Sequence, residues 1–184
     1  MCRTCSKVRR KLEEKMTGLI IGNLCSLLAM ITDSVSSSRK TARGVLIVQC
    51  LSQAIYGIGA IALKGYSAAV QNGVSILRNL FAIKEGKSKI VEWGLIALGV
   101  VLGLWFNNRG FFGWLPVLAN LEYSIAVFRF KDNERALKIA FMICTILFAV
   151  FNVVVLNVVG VAANLVVIVT TVVFLIKEKK LDHK

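Results

Sequence analysis

Two ionisable side chains, Arg78 and Glu122, stand inside runs of apolar residues, where each costs at least a few kcal/mol if the surroundings are hydrocarbon. Arg78 lies about five residues from the end of its run, close enough for a long side chain to snorkel to phosphate headgroups, so an anchor is its simplest reading. Glu122 is deeper and too short to snorkel as far. It requires a hydrogen bond, a charge pair with Arg78 or a wet cavity, and it is expected to point into the protein. Uncharged polar residues recur at similar depth: Asn23, Gln49, Gln53, Tyr56, Asn72, Ser75, Asn79, Asn120, Asn152 and Asn164. Asn72, Ser75 and Asn79, spaced i, i+3 and i+7, share one helical face. Such residues either join helices by hydrogen bonds or line a site for a polar solute. Asn72, Asn164, Tyr56, Asn152 and Glu122 form the candidate binding set, with Asn72 and Asn164 at similar depth around one centre.

Catalysis has little to build on. The one histidine, His183, is in the tail, and Asp33, Asp132 and Asp182 fall outside or at the ends of the apolar runs. An intramembrane hydrolase needs a nucleophile with its base, or paired aspartates, at membrane depth. The chain is therefore expected not to be an enzyme. Cys2-x-x-Cys5 has no second pair or histidine to complete a tetrahedral metal site, so neither metal nor cofactor is expected.

The elements that must hold these residues are helices. Residues 139–176 contain no Asp, Glu, Lys or Arg. As one straight helix they would span about 57 Å, roughly twice the hydrocarbon thickness of a bilayer. The run must fold back, and Asn157 followed by Gly160 marks the turn, Gly tolerating φ > 0. Hydrophobic residues make up 57% of the chain and its mean hydropathy is +0.71, more than a soluble domain of 184 residues needs. Apolar segments fall at about 17–32, 44–63, 66–83, 90–106, 111–128, 138–156 and 158–176. They are continuously apolar and too long for tilted strands, which excludes a β-barrel. Seven spans result, with six as the competing count.

The net charge of +13 does not point to nucleic acid, because the basic residues gather in short clusters between spans. With seven spans, one side carries 14 Lys and Arg in the loops near 33–43, 84–89 and 129–138 and in the tail, and the other carries 8. That bias puts the N-terminus outside and the C-terminus in the cytoplasm. Residues 1–15, with six of the eight, run against it and read as a dispensable basic extension, initiation at Met16 being the alternative to Met1. Trp105, Phe106, Phe111, Phe112 and Trp114 cluster as an interfacial belt.

A shift of 95 residues sets Ala54 on Ala149, Tyr56 on Phe151 and Gly65 on Gly160. Units 17–83 and 111–176 would then be parallel three-helix repeats joined by a linker span at 90–106. Gly99-x-x-x-Gly103 in that linker permits close helix approach and suggests a homo-oligomer interface.

Three stretches, Gln71-Asn-Gly-Val-Ser-Ile-Leu-Arg78-Asn79, Trp114-Leu-Pro116-Val and Phe128-Arg-Phe-Lys131, resemble the YgjV-like bacterial inner-membrane protein family, over about residues 16–177. The resemblance implies a small polytopic protein of the bacterial plasma membrane, similar in architecture to the PQ-loop and SWEET carriers. The chain lacks their Pro-Gln dipeptide and has one helix proline, Pro116. The expected fold is thus all-α, seven transmembrane helices as a 3+1+3 parallel repeat. Residues 16–184 form one transmembrane domain embedded in lipid. Two functions remain open: a carrier of a small polar solute with its site between the units, or a non-transporting membrane protein that binds a lipid or protein partner. A water-filled cavity reaching Asn72 and Asn164 separates them.

Overall fold

The computed structural model describes residues 3–85, 88–130 and 132–182. Cys2, Lys131, His183 and Lys184 lie outside the described residues. Among those described, every regular element is helical: α1 (Arg3–Ser37), α2 (Ala42–Ala62), α3 (Tyr66–Ile83), α4 (Lys89–Trp105), a 3-10 turn (Gly110–Gly113), α5 (Trp114–Arg129), α6 (Glu134–Val154) and α7 (Val158–Asp182). Five of them, those containing Leu12–Ser36, Ala42–Ala62, Gly110–Arg129, Glu134–Val154 and Val158–Lys177, are long and apolar enough to cross a membrane. The other two are α3, which carries Arg78, and α4, which has 17 residues. Helix α1 continues without a break through residues 3–15, so the basic segment is its first turns, with Arg9 paired to Glu13.

The helices form a ring in the order α1, α2, α3, α5, α6, α7, closed by α7 against α1, and α4 packs outside it against α3 and α5. The polarity of a soluble protein is inverted. Leucine and isoleucine face outward along α1 (Ile20, Leu24, Leu28, Ile31), while Ser26, Gln49, Asn72, Arg78 and Asn120 are buried. Lipid offers an apolar side chain no penalty for exposure, whereas each polar group there needs a partner inside the protein. Trp105, Phe106, Phe111, Phe112 and Trp114 are all exposed at the end of the bundle holding the 106–113 connection.

Adding 92 to the bounds of α2 gives those of α6. The same increment takes the last residue of α1 to that of α5, and the first residue of α3 to that of α7. The local chemistry follows. Thr41 caps α2 by accepting from the Gly44 amide, and Asn133 caps α6 by accepting from the Ala136 amide. The turn after α2 is closed by Gly65 N–H to the Ala60 carbonyl, and the turn after α6 by Asn157 N–H to the Asn152 carbonyl. Lys64 and Leu156 take the same left-handed conformation, φ +56° and +60°. The helix bounds thus align at 92, where the residue-type matches suggested 95. Three residues is nearly one helical turn, so a pattern of small and aromatic residues on one face looks similar at either shift.

The C-terminal run turns back at Val155 to Asn157, but Leu156, not Gly160, carries the positive φ. Gly160 lies inside α7, and a Cβ there would collide with the Asn157 side chain, whose Oδ1 accepts from the Gly160 amide at 2.9 Å. Leu156 is exposed and pays for its conformation without packing in return. Leu156→Gly is expected to stabilise the protein by about 0.5–1 kcal/mol, seen as a rise in unfolding temperature in detergent. A fall would show that Leu156 makes a contact that matters.

Candidate functional site

A cavity of about 60 Å³ lies within the ring between α1–α3 and α6–α7; α4 and α5 contribute nothing to its wall. At roughly 10–15 Å³ per water in this measure, it has room for a few waters or a small solute. It runs from the two hairpin turns, where Leu63, Gly65, Val155 and Asn157 line it, inward to Asp33 and Phe141.

Four of the five candidate residues meet there: Tyr56 from α2, Asn72 from α3, Asn152 from α6 and Asn164 from α7. Asn72 and Asn164, 92 positions apart like the two hairpins, both line it. The Asn164 amide Nδ2 is buried without a hydrogen-bond partner in the protein. Gln53 and Asn157, also on the wall, bring its side-chain amides to five.

Glu122 is not part of the cavity. It is half-buried on α5, with Oε2 shielded and unpartnered. Arg78 is not a snorkelling anchor: it is 1% exposed and points into the bundle. Its guanidinium donates from Nε to Asn79 Oδ1 (3.0 Å) and from Nη1 to Asn120 Oδ1 (2.7 Å) and Ser124 Oγ (3.0 Å), and it stacks on the Tyr123 ring at 4.7 Å. Its hydrogen bonds thus go to amides and a hydroxyl rather than to Glu122. Ser75 also donates to Asn120 Oδ1, and Asn120 donates to Gln71, whose Nε2 reaches the Gly99 carbonyl at 2.7 Å. The polar face of α3 therefore divides: Asn72 looks into the cavity, while Ser75 and Asn79 belong to this brace across α3, α4 and α5.

The Gly99/Gly103 pair serves that brace. Both glycines are buried, and a Cβ on Gly103 would overlap the Gln71 amide and lie 2.7 Å from Val117. The small-residue face is occupied by contact within the chain.

Asp33, expected at the end of an apolar run, lies within a helix. Helix α1 extends past it to Ser37, which leaves its carboxyl buried on the cavity wall beside the hydroxyls of Ser52 and Tyr56. The signal was present in the spacing of Ser26, Ala29, Asp33 and Ser36, small or polar residues at i, i+3, i+7 and i+10 that are all buried. Such a stripe marks a helix face turned to its neighbours rather than to lipid.

At the opposite end a second hollow of about 340 Å³ is lined by Lys40, Arg43, Leu46, Ala82, Glu85 and Asp132, among others. Leu46 and Ala82 on its floor, and Phe141 and Cys144 on the floor of the first cavity, belong to one buried apolar cluster with Leu137 and Tyr123. That apolar plug thus borders both spaces. Among the described residues no group of three His, Cys, Asp or Glu could hold a metal ion.

The family model Imp-YgjV, described as bacterial inner membrane protein, matches residues 20–181. No curated protein and no solved structure matches the chain.

Proposed function

Since the chain belongs to the Imp-YgjV family of bacterial inner membrane proteins, an integral protein of several apolar helices, we propose that it carries a small polar solute across that membrane. The observation that carries this reading is the cavity walled by Tyr56, Asn72, Asn152 and Asn164. Polar residues that only joined helices would face one another directly and leave no such space between them. The matched hairpins favour two parallel three-helix units with α4 as the linker, and the apolar plug between the two hollows is what a carrier closed on one side needs.

In this reading all seven helices cross the bilayer and the basic loops face the cytoplasm, so the cavity opens on the outer side. A reporter fused after the C-terminus is expected to be active only in the cytoplasm; activity on the outer side would overturn the orientation. The cavity itself is tested by a single cysteine at position 164 in a chain whose native cysteines are replaced. A membrane-impermeant thiol reagent should modify it from outside. Failure to label from either aqueous face would favour a packed bundle that binds a lipid or protein partner instead.

A further inference from the structure

The cavity wall is chemically one-sided. Among the described residues that line it there is a carboxyl, Asp33, and there are four aromatic rings, Tyr56, Phe141, Phe148 and Phe151, but there is no lysine or arginine. The buried cations of the bundle are occupied elsewhere. Arg78 is held in the α3–α5 brace, and Lys138 lies 3.4 Å from the Phe174 ring centroid and 3.9 Å from Glu134. Faces of aromatic rings are electron-rich and attract cations, the amide oxygens on the wall accept N–H donors, and a carboxyl supplies charge at membrane depth. An anionic solute would meet that carboxyl as a like charge in a medium that screens it poorly.

We infer that the solute held in this cavity is a small organic ammonium, bound by the Asp33 carboxyl and the rings of Tyr56, Phe141, Phe148 and Phe151. This rests on the carrier reading and names the substrate class for the same site. The cavity volume limits the solute to a compact amine. Its N–H groups meet Asp33 and the amide oxygens, while its alkyl part lies against the phenylalanines. Tyr56, beside Asp33 on the wall, is a positioning residue for the carboxyl and offers its ring to the cation.

The test is calorimetric binding to the full-length protein in lipid nanodiscs, with ethylammonium, ethanol and acetate as probes of nearly equal size. Ethylammonium is expected to bind at least tenfold more tightly than either of the others. Asp33→Asn, which keeps shape and removes charge, should erase that preference, and Asp33→Glu should restore part of it. Equal affinity for ethanol or acetate would overturn the inference, as would ethylammonium binding unchanged in Asp33→Asn or displacement by sodium at equal concentration. A variant that fails to fold is recognised by its unfolding temperature, and saturation of wild type with the three probes then decides alone. If none of the three binds, the ammonium inference falls, while labelling at position 164 still decides whether a solute cavity exists.

Discussion

Asn72→Leu and Asn164→Leu are each expected to reduce uptake of the carried solute by roughly 10- to 100-fold, the loss of one or two hydrogen bonds in a shielded site. The expected effect on stability is the reverse of what a joining residue would show. Asn164 Nδ2 has no partner to lose, and Leu in its place removes a buried orphan donor. Unfolding temperatures should therefore stay within a few degrees of wild type. Uptake is read in proteoliposomes alongside thermal unfolding of the same preparations. Variants that transport normally but unfold early would turn both residues into helix glue and remove the carrier reading's central support.

The largest effect on folding is expected at Gly103. In Gly103→Val the new Cβ takes the place of the Gln71 amide and presses on Val117. Gln71 must then abandon the Gly99 carbonyl and Asn120, both buried. Overpacking costs about 1–3 kcal/mol and stranded hydrogen-bonding groups a similar amount, so a loss on the order of 4 kcal/mol is expected. The measurement is the yield and unfolding temperature of the variant in detergent. As a control, Gly94→Ala on the same helix, where a Cβ meets nothing, should be close to neutral. Equal tolerance of both substitutions would show that α4 is not held through that contact.

Helix positions were largely legible because apolar run length and loop chemistry are local. The run at 66–83 coincides with α3, and the turn near Asn157 falls where an amide can cap α7. Polar residues within apolar runs were legible as well, and Asn72, Asn164, Tyr56 and Asn152 among them line one cavity. Partners were not. Hydropathy says that Arg78 is costly in lipid but not that Asn120, Ser124 and Tyr123, more than forty positions away, are folded around it. For the same reason Gly99 and Gly103 could be read as a close-contact face without revealing that Gln71 of the same chain fills it. Asp33 was lost to a boundary: an apolar window ends at the first charged residue, whereas a helix ends where its backbone hydrogen bonds do. Glu122 was grouped with the site by depth alone, and its helix turns it away from the cavity.

The two seams that close the ring are built differently. Between α3 and α5 the Arg78 brace ties the helices together, and α4 lies across both like a splint. Between α1 and α7, hydrogen bonds at the start of α7 join Asn157 to Ser26 at 2.7 Å and the Val159 amide to Asn23 at 3.0 Å. Substitution of Arg78 would therefore loosen the α3–α5 seam directly, and substitution of Asn157 the α1–α7 seam.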